Sequence, residues 1–361
     1  MNQTTGTNEN LSEVNSINLR SNFALWQLLG AVAFSTRLVL GWVYWGGASR
    51  RFIYAPAKLD PHSPAYLANK LVHAAPGAAF GVQAVLHWIL GVPTLLHIAV
   101  IFFSGVELVV GVGLILGLAT RILSVVGIGL SITLMLIFGW MGTTCLDEWT
   151  MAACSFAMSC LIFATGSGPW SVDNLIQRRG CIHNTPWLSW FMSGPLPLSA
   201  RGFIRLTKAL GIASIVFTVF FYAYNFDAVY SALGKRVDSA RPSIALSDAT
   251  LSPDALSVHG YVNAGPDTQG LYIVQATLAA PGQAPIFTYN AETLAQKGFV
   301  KIKNAYAPWS SCKAIAFGLR CQLGSRSVLS FPLPAQHAAL TGQEVLTLTD
   351  VEGHKFTLAV K

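Results

Sequence analysis

Apolar and polar positions along this 361-residue chain follow two regimes. Up to about residue 226 they form long apolar blocks, and beyond about residue 236 they form short, partly alternating runs. The first block, Phe23 to Gly47, is long enough to cross a hydrocarbon core of about 30 Å as a helix. It exceeds a signal-peptide core and lacks a cleavage site, so it reads as a retained helix. A second block runs from about Pro93 to Ala119 and a third from Ile122 to Trp140, with Arg121 in the tight turn between them. The fourth covers Trp149 to Thr165 and stops at Gly166-Ser-Gly-Pro, and the fifth covers about Leu206 to Phe226.

The later runs, among them Leu256-Ser-Val-His-Gly-Tyr-Val and Val345-Leu-Thr-Leu-Thr, are separated by Pro-Gly, Ala-Gly-Pro and Glu-Gly-His turns. Short strands at that spacing predict a β-sandwich. The pattern therefore predicts an α-helical membrane bundle, a four-helix core plus a fifth spanning helix, followed by an extracytoplasmic all-β sandwich-like domain. Expected boundaries are a disordered tail at 1–22, a membrane domain at 23–180, a loop with the fifth helix at 181–235 and a β-domain at 236–361.

Composition strengthens the membrane reading. Apolar residues make up 53% of the chain and charged residues 11%, against about 25% charged in soluble domains, so this chain cannot cover a water-facing surface throughout. Net charge is +7, which cytoplasmic loops of a membrane protein explain. No basic run with interleaved aromatics points to nucleic acid. With the N-terminus inside, Arg20, Arg121, Arg178, Arg179, Arg201, Arg205 and Lys208 fall on the inner side and Arg50, Arg51, Lys58 and Lys70 on the outer. That bias predicts a cytoplasmic N-terminus, an inner-membrane location and an outward β-domain. Cys312 and Cys321 flank an expected hairpin there, where an oxidising compartment permits a disulfide; two core cysteines are the alternative.

The six cysteines show no C-x-x-C and no zinc spacing,. The run Gly111 to Gly117 lies inside an apolar helix pattern and is no dinucleotide loop. His97 is the one His inside a predicted span, which argues against haem. No metal or flavin motif is present. Gly105, Gly111, Gly113 and Gly117 predict close helix packing.

Arg37 and Glu107 stand out as ionisable residues inside predicted spans, each costing about 2.5–3.5 kcal/mol at a helix centre. They are expected to pair with each other or to line a cavity. Arg50, Arg51 and Lys58 run against the positive-inside trend and suggest a site for a small anion, or cations snorkelling beside an aromatic belt that includes Trp42 and Trp45. Asp147 and Glu148, next to Cys145 and Trp149, offer proton-handling groups and a candidate thiol nucleophile. Ordinary packing is the simpler reading of Cys145, Cys154 and Cys160. His62, His73 and His87 read as loop histidines, and nothing from Ser171 to Leu198 resembles a catalytic motif.

The stretch Arg37-Leu-Val-Leu-Gly-Trp-Val-Tyr-Trp-Gly-Gly and the stretch Gly105-Val-Glu-Leu-Val-Val-Gly-Val-Gly-Leu-Ile-Leu-Gly-Leu-Ala-Thr-Arg121 resemble the first two helices of DoxX/DoxD-type membrane proteins. The Arg50-to-Lys58 loop resembles DoxD in particular, and the β-domain after the fifth span resembles DoxA. That order is similar to a DoxD–DoxA thiosulfate:quinone oxidoreductase. The resemblance implies oxidation of thiosulfate to tetrathionate with quinone as electron acceptor. In that scheme Arg50, Arg51 and Lys58 would bind substrate and Trp42, Trp45 or Trp149 would stack on quinone. Glu107, Arg37 and Asp147 would serve the chemistry, with Cys145 available for a covalent route. The expected partners are thiosulfate, membrane quinone and the lipid bilayer, and a homo-oligomer is compatible with them. A small-anion transporter and a non-enzymatic anchor presenting the β-domain are the competing classes.

Overall fold

The computed structural model describes residues 25–54, 56–63, 65–143, 147–179, 186–226, 241–266, 269–305, 311–335 and 342–360. The predicted tail at 1–22, Cys145 and Cys181 lie outside them. The chain divides into two compact units that alternate along the sequence. One comprises Met1–Ala55, Phe102–Leu134 and Thr150–Phe221; the other comprises Pro56–Ile101, Met135–Trp149 and Tyr222–Lys361.

The first unit is helical. Helix α1 (Leu25–Val32) and α2 (Phe34–Ser49) form a pair bent by 53°, and α2 continues into a π-helical turn at Arg50–Tyr54. Helices α5 (Pro93–Leu116), α6 (Thr120–Phe138), α7 (Asp147–Thr165) and α10 (Ala200–Phe226) supply four helices long and apolar enough to span a bilayer, five with the bent pair. The expectation of a helical membrane bundle followed by a β-domain is met. The first span differs from the expected unbroken helix. Its bend falls beside Gly30, where an added Cβ would lie 2.2 Å from the backbone nitrogen of Gly168. Glycines at a backbone contact are a recognised cause of helix bending and close crossing.

Leu40 and Tyr44 of α2, Val110 and Leu114 of α5, Leu130 of α6 and Ile162 of α7 form one buried cluster. Val39, Phe102, Val109 and Ile215 stay exposed. Hydrocarbon covers such side chains where water would not. Small residues set the α2–α5 spacing. A Cβ on Gly111 would lie 2.6 Å from the Trp45 nitrogen, and one on Gly41 would lie 2.9 Å from the Ile115 nitrogen. Gly105 has open space around it, so it plays no part in that approach.

In the second unit, β1 (Ser243–Leu251), β2 (Ala255–Ala264), β5 (Lys301–Asn304) and β8 (Arg326–Pro332) form a sheet in the order β1-β2-β8-β5. A second sheet has the order β10-β9-β3-β7-β6, with β4 (Phe287–Tyr289) beside β3. Its strands are β3 (Leu271–Ala279), β6 (Cys312–Ile315), β7 (Gly318–Cys321), β9 (Val345–Asp350) and β10 (Lys355–Ala359). All pairings are antiparallel. Alternation along β2 sends Leu256, Val258 and Val262 inward to meet Leu271, Ile273 and Leu278 of β3 in one core. A disulfide joins Cys312 to Cys321 across the β6–β7 hairpin.

This core is not made of strands alone. Ala74, at the end of α3 (Ala68–Ala74), and Trp140 and Met141, just past α6, belong to the same buried cluster. The Trp140 indole N–H donates to the Ala74 carbonyl at 2.9 Å. A Cβ on Gly77 would lie 2.2 Å from the Trp140 ring, so only glycine fits there. The segments between the helices thus complete the β-domain core. Replacing Trp140 with Ala should destabilise this unit by about 3–5 kcal/mol. Denaturant unfolding of the detergent-solubilised protein checks this, and an unchanged midpoint would refute it.

Candidate active site

Glu107 lies within the 24-residue apolar helix α5. A carboxylate there must be neutralised or paired. Its partner is Arg51, whose guanidinium donates to Glu107 Oε2 and also to Ser104 Oγ at 3.2 Å. Ser104 is one turn back along α5, so both acceptors present themselves on one helix face. Arg51 sits in the π-helical turn that extends α2, and such turns recur at functional sites. Gly47, one turn earlier, places only a hydrogen against the pair: a Cβ there would lie 3.3 Å from Glu107 Oε2. Both charged side chains are 15% exposed, which leaves the pair largely shielded yet reachable.

A second polar group continues into the bundle. The buried Tyr44 hydroxyl donates to the Gly127 carbonyl at 3.1 Å. The Ser131, Ser155 and Ser159 hydroxyls surround it, and the Glu107 charge acts on it. Ser131 Oγ donates to the same carbonyl at 2.9 Å. A Cβ on Gly127 would come within 2.7 Å of Ser159 Oγ. Four helices thus contribute hydroxyls and a carboxylate to an otherwise apolar interior.

Arg37 does not join this group, contrary to the expected pair with Glu107. It lies near Gly117, just past the end of α5 and ten residues on from Glu107. Ten residues of helix rise about 15 Å. Arg37 donates instead to the Trp170 carbonyl at 2.7 Å. That end of the unit is organised by Asp173, at the start of α8 (Val172–Arg178). Its carboxylate accepts from the Ala119 and Thr120 amides at 2.7 and 3.1 Å and from the Thr120 and Ser193 hydroxyls at 2.7 Å each. It therefore caps α6 from outside the helix. Arg121 is held nearby through Nε and Nη1, which donate to the carbonyls of Phe163, Trp190 and Gly194 at 3.0, 2.8 and 2.7 Å. Asp173 acts electrostatically on both arginines.

The other expected site residues fall as follows. Arg50 is exposed, beside Arg51 in the same turn. Lys58 ends a short helical turn, Pro56–Lys58, in the second unit. Trp42 is exposed and meets Trp45 edge-on at 6.4 Å. Trp149 belongs to the second unit, where it packs on Tyr222. Asp147 opens α7, with its side chain outside the described set. Glu148 pairs with Lys70, whose ammonium also sits 5.6 Å from the Phe138 ring. His87 faces Tyr261 of β2. Asp173 was missed because its partners come from two segments distant in sequence, Ala119–Thr120 and Ser193. Its one local signal was the Ser171 cap, which accepts from the Asn174 amide ahead of an acidic first turn. Among the described residues no group of three or more His, Cys, Asp or Glu side chains is placed to hold a metal.

A bundle of apolar helices with a partly buried ion pair, followed by a two-sheet β-domain, defines a multi-pass membrane protein. Residues 32–199 match the family model described as TQO small subunit DoxD, and residues 228–358 match the one described as TQO small subunit DoxA. The chain is a fusion of the two, DoxD first and DoxA second, and both are thiosulfate:quinone oxidoreductase subunit families. No solved structure matches it.

The Asp173 network makes a prediction separate from turnover. Asp173→Ala removes the acceptor for four donors and strands two arginines, which should cost about 3–5 kcal/mol. Asp173→Asn keeps part of the hydrogen bonding and should lose less. Thermal unfolding of both variants in one detergent would test this, and equal losses would argue that the charge of Asp173 is irrelevant.

Proposed function

We propose that this protein oxidises two thiosulfates to tetrathionate and passes the two electrons, with two protons, to a membrane quinone. The observation that carries the reading is the partly buried Arg51–Glu107 pair on the α2–α5 seam, in a chain matching both TQO small-subunit families. An N-terminus in the cytoplasm and a β-domain on the outer face of the inner membrane complete the proposal.

Joining two thiosulfates brings two dianions together. At about 4 Å their repulsion is about 4 kcal/mol even in water, four times the unit-charge value. Fixed cations must offset it, and Arg50 and Arg51, adjacent in the first unit, are the residues assigned to that task. Arg51 begins neutralised by Glu107. A proton on Glu107 releases the guanidinium to an anion, and loss of that proton restores the pair. The carboxyl can therefore deliver a proton to a reduced acceptor while Arg51 binds or releases sulfur oxyanion. The hydroxyls of Tyr44, Ser131, Ser155 and Ser159 suit the supply of protons to Glu107. The quinone accepts the electrons, and Trp42 and Trp45 offer it an aromatic surface. Arg37, held by Trp170, is assigned a structural part rather than a catalytic one. A thiosulfonate on Cys145 is the covalent variant of the scheme, and full activity in Cys145→Ala would remove it.

The test is thiosulfate-dependent reduction of a soluble quinone analogue by purified protein, with tetrathionate measured in the same sample. Stoichiometric tetrathionate is expected. Glu107→Gln, nearly isosteric, should fold and lose about 100-fold in turnover, the lower range for general acid–base catalysis. Full turnover in that variant would sink the role of Glu107. Anion flux into vesicles without redox change would favour a transporter instead, and a stable complex made through the β-domain alone would favour an anchor.

A further inference from the structure

Helix α10 (Ala200–Phe226) presents two faces. One packs on the helical unit. Phe203 meets Trp26 of α1 edge-on at 5.2 Å, and Phe217 stacks on Phe156 of α7 at 4.2 Å. Phe217 and Phe221 are buried there. At about 100° per residue, the opposite face gathers Arg201, Arg205 and Lys208, followed by Ile212, Ile215, Val216 and Val219, within an arc of about 100°. The three cations and the four aliphatic side chains are all exposed. This face is therefore cationic over its first two turns and apolar beyond them.

The two parts have the dimensions of a lipid. Lys208 to Val219 covers about 16 Å of helix axis, close to one leaflet of a hydrocarbon core about 30 Å thick. Arg201 to Lys208 covers about 10 Å more, at the end of the span where headgroups lie. No acid competes for these cations. No Asp or Glu stands between Asp173 and Asp227 in the sequence, and Asp173 is buried and accepts from four donors of its own. Among the described residues none of the three cations forms an ion pair. An aromatic edge adjoins them. In α9 (Pro186–Phe191), Trp187, Trp190 and Phe191 are exposed. The Arg121 guanidinium fixes that helix near the start of α10: it donates to the Trp190 carbonyl at 2.8 Å and lies 5.1 Å from the Trp26 ring, which in turn meets Phe203. Exposed tryptophans at the end of a span mark the headgroup level, whichever way the span is oriented.

We propose that this face of α10 binds an anionic phospholipid, its phosphate held by Arg201, Arg205 and Lys208 and an acyl chain laid along Ile212, Ile215 and Val219. The apolar strip is what selects a lipid: inorganic phosphate would use the cations and leave the strip uncovered. A second copy of the chain suits the face poorly, because a symmetric pair of such faces would set three cations against three. Binding makes no covalent bond and does not rest on the redox reading of the Arg51–Glu107 pair. It makes the fifth span selective for lipid charge, whereas hydrophobic length alone would accept any phospholipid.

Native mass spectrometry of the full-length protein in neutral detergent, titrated with phosphatidylglycerol or with phosphatidylcholine of identical chains, tests the site apart from turnover. The wild type should retain phosphatidylglycerol in clear preference. Arg205→Gln should weaken that retention about fivefold, the worth of one basic side chain at an anionic lipid surface. The triple variant Arg201→Gln, Arg205→Gln, Lys208→Gln should fall to the phosphatidylcholine level. All three positions are exposed, and a thermal midpoint equal to that of the wild type shows that the variant is folded. The pair Lys301→Gln, Lys303→Gln, which removes two exposed charges from the β-domain, should leave retention unchanged. Inorganic phosphate in large excess should not displace the lipid. Equal retention of the two lipids by the wild type, undiminished phosphatidylglycerol in the triple variant, displacement by inorganic phosphate, or a dimer that excludes the lipid would each overturn the proposal.

Discussion

A carboxylate inside an apolar helix must find a cation or give up its charge, and the helical unit is arranged around that demand at Glu107. Arg51 answers it from the turn that ends α2. For the two side chains to meet, α2 and α5 must run close together, and Gly41, Gly47 and Gly111 on the facing helices permit the approach. The same closeness buries Tyr44, whose hydroxyl then needs partners and finds them at Gly127 and the neighbouring serines. A partly buried pair of this kind adds little net stability over an apolar replacement, which is the physical ground for proposing a chemical role for it.

The opposite end of the unit shows the contrasting use of buried charge. Asp173 accepts from two amides at the start of α6 and from two hydroxyls, and Arg37 and Arg121 donate to backbone carbonyls. Such charges fix the turn between α5 and α6. In the second unit Lys70 is matched by Glu148. Two of the four cations that the sequence reading places on the outer side, Arg51 and Lys70, are therefore paired with acids.

Much of the fold was legible because it follows from periodicity. Long apolar blocks gave helices, and alternation around Leu256 and Val345 gave strands. The exceptions have local causes. The bend at Ala33 depends on contact between Gly30 and Gly168, over a hundred residues apart, which no window on the sequence reports. The candidate site was half legible. Glu107 and Arg51 were each visible as charges out of place, yet their pairing was not. Helix lengths read from hydropathy left depth uncertain by about two to four residues, enough to make Arg37 the apparent partner. Asp173 was invisible because its donors, on Ala119, Thr120 and Ser193, lie twenty or more residues away along the chain.

The central claim is that Arg51 and Glu107 act as one unit in turnover. A double-mutant cycle tests it: Arg51→Gln, Glu107→Gln and the double variant, each assayed for thiosulfate-dependent quinone reduction per folded molecule. The account predicts that the double variant loses little more than either single one, a coupling of at least about 1.5 kcal/mol. Losses that add to within about 0.5 kcal/mol would contradict it.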